Sequence, residues 1–228
     1  MIFMAKFKAV LFDLDNTLVD FYKLKNKCIG AAANAMVRAG LQKKPMQVIK
    51  ELWDLYYDIG WEHQNVFQEY FRRHYGEIDW RIMAKGVYAY RRVKYEHTRS
   101  YPSAKKILRE LKKAGVRIAV VTDAERINAW MRLVEIGLAD EFEVVVSAPT
   151  DTGVFKPDPK PFNHALQKLG GVKPSEALFV GDSIHKDVAG AKNAGLKTAL
   201  ASYGRTVEAP HEADYEFQEL GDVLKAVL

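Results

Sequence analysis

The residues of this chain that could do chemistry fall in four short groups. Asp13 and Asp15 stand one residue apart at the end of the apolar run Ala9-Val10-Leu11-Phe12. Thr122 and Asp123 close a second apolar run, 116–121. Lys156 sits in the proline-flanked stretch Val154-Phe155-Lys156-Pro157-Asp158-Pro159, and Gly181-Asp182-Ser183 ends a third apolar run, with Asp187 shortly after. Carboxylates with no histidine or thiolate pattern around them describe a site for a hard cation, which suits Mg²⁺ better than Zn²⁺ or copper. Magnesium held by few protein oxygens keeps waters and accepts a phosphate oxygen, so the metal suggests the substrate. A lysine and a hydroxyl beside it are the fixed complement that a phosphoryl group with developing charge needs. The chain carries no G-x-x-x-x-G-K-[ST] loop, so an ATPase reading lacks its phosphate cradle.

These groups need elements that bring them together. An apolar run as short as 9–12, ending in acids, reads as a buried parallel strand whose carboxyl end opens onto a loop, the place where open α/β sheets keep their sites. Two acids with one spacer would point to opposite faces of a continuing strand. A turn must therefore begin at Asp13, and Thr17 is expected to bond backbone groups of that turn. From Pro102 onward strand and helix alternate. Ser103 is expected to cap a helix with the stripe Ala104, Ile107, Leu108 and Leu111, ended by a left-handed Gly115. A strand over 116–121 follows, then a helix over 127–136 stopped at Gly137 and a strand over 143–146. The prolines hold Lys156 on a rigid extended segment. A helix bearing Phe162, Ala165, Leu166 and Leu169 leads to a strand over 177–180. The small residues Ala189, Gly190, Ala191 and Ala194 then form a helix able to approach the sheet, and Gly195 ends it. The runs 197–201 and 215–217 are read as edge strands. Such alternation requires a parallel sheet with helices on both faces and right-handed crossovers. The expected fold class is thus α/β, a Rossmann-like doubly wound parallel sheet, with the polar strand ends on one rim.

Between the first strand and residue 116 the pattern is helical throughout. Leu24, Cys28, Ala32, Ala35, Met36 and Ala39 recur at helical spacing, and further helices are expected over 46–57, 63–75 and 79–96. A block of about eighty residues is too long for a βα connection. It reads as an inserted all-helical cap domain, 20–97, within a core domain made of 1–19 and 98–228. Its aromatics, Trp53, Tyr56, Tyr57, Trp61, Phe67, Tyr70, Phe71, Tyr75, Trp80, Tyr88, Tyr90 and Tyr95, are expected mostly in the core of a helical bundle. Phe21, Tyr22 and Lys23, nearest the first strand, are candidates to line a substrate pocket.

The totals exclude several classes. With 228 residues, 48% apolar and 28% charged, the chain has ordinary globular composition. A balance of 34 basic against 29 acidic side chains permits anionic substrates without requiring nucleic acid. Arg72, Arg73, Arg91, Arg92 and Lys94 are mixed with Glu62, Glu69, Glu77, Asp79 and Glu96, which describes a solvated helix face and no nucleic-acid groove. The single cysteine, Cys28, allows no internal disulfide and suits a reducing, cytoplasmic setting. Lys6 and Lys8 interrupt the first apolar stretch, which argues against a signal peptide and a membrane partner. Monomer and dimer are both compatible with the sequence.

Taken together, Asp13-x-Asp15-x-Thr17-Leu18, Thr122, Lys156-Pro157 and Gly181-Asp182-x4-Asp187 resemble the four motifs of the haloacid dehalogenase superfamily, in its phosphatase branch with a helical cap after the first motif. The likeness spans nearly the whole chain in motif order. It implies that Asp13 is a nucleophile forming an aspartyl-phosphate. Asp15 would protonate the leaving alkoxide and later take a proton from water, with a useful pKa above that of Asp13. Mg²⁺ would be held by Asp13, the backbone carbonyl of Asp15 and Asp182, with Asp187 positioning a metal-bound water or Lys156. Thr122 and the backbone amides of Asp123 and Leu14 would bond phosphoryl oxygens, and Lys156 would neutralise nucleophile and phosphoryl together. Asp123 departs from the Asn or similar residue the family often has there, leaving its backbone donor intact. The resemblance further implies a small phosphoester substrate, with glyceraldehyde 3-phosphate or phosphoglycolate as candidates. A 2-haloacid dehalogenase is disfavoured because Asp15 stands where that branch has Tyr. The same motifs are also compatible with a phosphosugar mutase, and the same scaffold with a non-catalytic binding module.

Overall fold

A computed structural model describes residues 5–61, 63–205 and 208–228. The chain divides into two compact units, Met1–Phe21 with Arg99–Leu228, and Tyr22–Thr98.

The first unit is built on six strands, β1 (Ala9–Phe12), β2 (Arg117–Thr122), β3 (Val144–Ser147), β4 (Ala177–Gly181), β5 (Lys197–Ala201) and β6 (Tyr215–Phe217). All pair in parallel, in the order β3-β2-β1-β4-β5-β6. This is the doubly wound Rossmann-like order, with the crevice for ligands at the strand carboxyl ends where the order reverses. β1 lies between β2 and β4, so Ala9 is paired with Arg117 on one side and Ala177 on the other. Its residues alternate between two apolar layers because a strand sends successive side chains to opposite faces. Val10 and Phe12 pack with Ile107, Leu108 and Leu111 of α5 (Ala104–Lys113) and Ala129 and Leu133 of α6 (Arg126–Glu135), whereas Ala9 and Leu11 pack with Phe162, Ala165 and Leu166 of α8 (Lys160–Lys168). A strand buried on both faces must be apolar along its whole length, which is why 9–12 is continuous and not alternating.

The helical ends show which local expectations hold. Gly115 and Gly137 adopt φ of 79° and 70°, the left-handed turns that end α5 and α6. Ser103 does not cap α5 through its hydroxyl: it takes a left-handed φ of 61°, which points the side chain away from the first-turn amides. The helix starts instead from its strong apolar stripe. β5 is interior rather than an edge, because the three-residue β6 pairs outside it and residues 198–201 are buried. β2, β3 and α6 each lie one residue from the ranges that hydropathy gives.

The second unit holds most of α1 (Phe21–Arg38), with α2 (Pro45–Ile59), α3 (Val66–Tyr75) and α4 (Trp80–His97). Its core joins Ile29, Ala32 and Met36 of α1 to Leu52 and Tyr56 of α2, Phe67 and Tyr70 of α3, and Ile82 and Met83 of α4. Asp79 caps α4, accepting the Ile82 amide at 2.9 Å. The aromatics are only partly core. Tyr56, Phe67, Tyr70 and Phe71 are buried and Trp53, Trp61 and Tyr90 pack against them, but Tyr57, Tyr75, Trp80, Tyr88 and Tyr95 are exposed. Those five fall on the outward faces of helices too narrow to bury aromatics all round. Among the described residues, no helix is long and apolar enough to cross a membrane.

Candidate active site

The loop after β1 is built to hold two acids. The Asp13 amide still donates to Val180 O at 2.9 Å, extending the sheet by one residue. The chain then turns: Leu18 and Val19 donate to Leu14 O at 2.9 and 3.2 Å, and Asn16 takes a φ of 60°. Thr17 is fully buried, but among the described residues its hydroxyl bonds nothing, so the turn is not held by that side chain. Its support comes from a distant segment, Ser202–Gly204, which follows β5. The Tyr203 hydroxyl donates to Thr17 O at 2.9 Å, Arg205 Nη1 donates to Asp182 O at 2.7 Å, and Gly204 lies directly against the Asn16 carbonyl. A Cβ on Gly204 would overlap that carbonyl. Gly204→Ala is therefore expected to destabilise the protein by about 3 kcal/mol and to lower turnover, checked by thermal melting and by rate. An unchanged melt would remove this segment as the support of the turn.

Lys156 is the hub. Its side chain is buried, and Nζ donates to Asp13 Oδ1 and Asp187 Oδ1 at 2.6 Å each and to Val121 O at 3.3 Å. Asp123 accepts the Lys156 amide at 2.9 Å and the Lys186 ammonium at 3.0 Å, so its acid side chain ties the lysine loop to the segment after β4. Asp187 lies on a wide turn, Ile184–Val188, in which the Val188 amide reaches back to Ser183 O at 3.1 Å. This turn places the Asp187 carboxylate over Gly181, where a Cβ would lie 2.5 Å from it, and Oδ2 accepts the Ser183 amide at 2.9 Å. Gly181 is thus required by the close approach of an acid and not by its own backbone angle. Thr122, at the end of β2, has its oxygen fixed by the Ala124 amide at 3.1 Å. His185 is exposed.

Asp13, Asp182 and Asp187 offer carboxylate oxygens within 4.8 Å of one another. Burial holds the Asp13 carboxyl well above its ordinary range, with Asp187 and Asp182 adding to it and Lys156 opposing. Burial, then the Asp187 charge, pushes Asp182 up to about 7. Burial alone would lower the Lys156 pKa, but Asp13, Asp187 and Asp123 outweigh it and raise it. Three acids against one ammonium leave the site short of positive charge, and the donors are all hard oxygens. The residues therefore fit a divalent cation.

A testable consequence concerns Asp182. Its raised pKa means that the folded state resists its ionisation, so the cost is absent below about pH 4, grows as pH rises and is complete above about 7. Asp182→Asn is expected to make the metal-free protein about 2 kcal/mol more stable at pH 8 and by only roughly a third of that near pH 5. Added Mg²⁺ should reverse that order by stabilising only the wild type. Thermal melts at both pH values, with and without metal, decide it.

The Asp15 side chain joins a different partner. Its Oδ2 accepts from Arg132 Nη1 at 2.8 Å. Arg132, buried on α6, also lies 4.4 Å from the centre of the Phe21 ring. Phe21 is itself buried, in contact with a cation of its own unit. Neither Arg132 nor the 203–205 segment is marked by motif spacing. The available signal for Arg132 is a cation on the helix stripe that Ala129 and Leu133 place in the core.

A Rossmann-like sheet whose strand ends join a buried aspartate–lysine pair to two further acids defines a hydrolase-type site for an anionic group. The chain matches the model of the haloacid dehalogenase-like hydrolases over residues 7–195, and it belongs to that family. It is 37% identical over 228 residues to a glyceraldehyde 3-phosphate phosphatase of Pyrococcus furiosus, covering 98% of this chain and 94% of that protein. It is 31% identical to the pyrophosphatase PpaX of Bacillus cereus over 226 residues, 96% of this chain and 95% of the relative. Among solved structures, a HAD phosphatase from Thermococcus onnurineus superposes with a TM-score of 0.70 at 25% identity, covering 96% of each chain.

Proposed function

We propose that this protein is a Mg²⁺-dependent phosphatase of a small phosphorylated metabolite, working in the cytoplasm through an aspartyl-phosphate on Asp13. The observation that carries the reading is the buried Asp13–Lys156 contact of 2.6 Å beside Asp182 and Asp187. Lys156 holds Asp13 in place and offers charge to an incoming phosphoryl group. The Thr122 hydroxyl and the amides of Leu14 and Asp123 bond its oxygens, while Asp15 carries the proton to the leaving oxygen and takes one from water in the second half-reaction. Asp13, Asp182 and the Asp15 carbonyl would hold the cation, whose charge offsets that of the phosphate when bound. Asp187 and Thr17 support from behind, Asp187 through Lys156 and Thr17 through its backbone contact with Tyr203. The helical unit Tyr22–Thr98 is the cap that sets substrate choice.

The names of the relatives favour glyceraldehyde 3-phosphate as the substrate, and phosphoglycolate and pyrophosphate are the comparison compounds. Steady-state kinetics on these three with Mg²⁺, joined by 2-chloropropionate, test the reading. Phosphate release from glyceraldehyde 3-phosphate at the highest kcat/KM supports it. Halide release, or phosphate release unaffected by metal chelation, overturns it.

A further inference from the structure

The pairing of Arg132 with Asp15 has no place in the motifs that define the site, and it is costly to build. Arg132 and Leu133 are buried side by side on α6, with Ala129 one turn earlier, so the guanidinium occupies a core-facing slot. An apolar side chain of similar volume would fill such a slot at lower desolvation cost. The guanidinium engages Asp15 Oδ2 at 2.8 Å and lies over the Phe21 ring at 4.4 Å. Phe21 opens α1, so one face of the guanidinium rests on a ring that the helix holds in place. A guanidinium held over a ring has little freedom to move, and it restrains the carboxylate bonded to it.

We propose that Arg132 is a positioning residue for Asp15, fixing the orientation of the carboxyl that exchanges a proton with the substrate. This rests on the proposed role of Asp15. In the first half-reaction an Asp13 oxygen bonds to phosphorus as the bond from phosphorus to the alkyl oxygen breaks. The electron pair stays on that oxygen, and the proton passes to it from the Asp15 carboxyl. In the second, water oxygen bonds to phosphorus, the Asp13–phosphorus bond breaks, and a water proton returns to the same carboxyl. A carboxyl held in one orientation is ready for both transfers.

The test compares kcat/KM, which reports the steps through transfer to Asp13, on two kinds of ester. Glycerol 3-phosphate releases a strongly basic alkoxide that needs the proton, whereas p-nitrophenyl phosphate releases a weakly basic phenolate that does not. Arg132→Met is expected to lower kcat/KM about 10²-fold on the alkyl ester and less than threefold on the aryl ester. Combined with Asp15→Asn, it should add nothing further. Arg132→Lys keeps the charge without the fork and should show the same selectivity at smaller size, which covers an Arg132→Met protein that does not fold. Equal losses on both esters in the folded variant, or additive losses in the double variant, overturn the proposal. Asp15→Asn reports separately on the reading beneath it: if that variant does not itself distinguish the two esters, Asp15 is not the proton carrier. If it does and the Arg132 variants do not, only the role of Arg132 fails.

Discussion

Asp13→Asn is expected to reduce phosphatase turnover by at least about 10³-fold while leaving the protein folded. The carboxylate is the one acid at the site in direct contact with Lys156 that also lies on the central strand, so its position is set by the sheet ladder through the Val180 carbonyl. An amide of the same shape keeps that backbone contact but cannot attack phosphorus effectively. It also removes one of three acids crowded around a single ammonium, so the metal-free variant should melt no lower than the wild type at pH 8. Activity assays with each substrate, paired with thermal melting and acid-quench mass spectrometry of the Asp13 peptide, check all three statements. A variant that retains a tenth of the wild-type rate, or a phosphorylated peptide mapping elsewhere, would place the nucleophile at another residue.

Lys156→Met is expected to have the largest effect on stability, a loss of about 3–5 kcal/mol at pH 8, because it strands two buried carboxylates that share its ammonium. The direction of its pH dependence follows from the shifts. Lys156 has its pKa raised on folding, so its stabilisation is fully present below its unfolded value of about 10.4 and is lost only as pH rises through the higher folded value. In the variant Asp13 loses the group that opposes its burial, so its carboxyl is lifted further and takes up a proton more readily. The deficit should therefore be small near pH 5, widen as pH rises to 8, and stay level until about pH 10. Melting curves of both proteins across that range provide the measurement. A deficit of constant size from pH 5 upward would mean that the lysine acts through packing alone.

Much of the fold and the motif residues can be read from the residues in order, for definite reasons. Strands buried on both faces leave apolar runs, so 9–12, 116–121 with its one break at Arg117, and 177–180 stand out, and the acids and hydroxyl that follow them mark one rim. Glycines at 115, 137 and 195 with φ of 79°, 70° and 82° mark helix ends for the same local reason. Features that depend on approach between distant segments leave no such trace. The contact of Gly204 with Asn16, the Tyr203 hydroxyl on Thr17 and the Arg205 bond to Asp182 join residues far apart in the chain. Arg132 looks like any charged residue on an amphipathic helix until the burial of its neighbours is known. Thr17 and Ser103 show the opposite error: each residue type favours a local hydroxyl bond, yet the Thr17 hydroxyl bonds nothing among the described residues and Ser103 takes a left-handed φ without capping its helix. The raised pKa of Asp13 is not legible in the chain either, because it depends on its burial and on the nearby acids Asp187 and Asp182.

The central place of β1 has a consequence for how the chain is made. Of the six strands of the sheet it leaves the ribosome before the others, yet its two neighbours, starting at Arg117 and Ala177, are translated more than a hundred residues later. At synthesis rates of about 5–20 residues per second, the stretch Ala-Val-Leu-Phe waits at least several seconds with both of its edges open. A nascent chain stalled before β4 would be both inert and adhesive, and a holding chaperone would have its longest engagement with the segment that leads into Asp13.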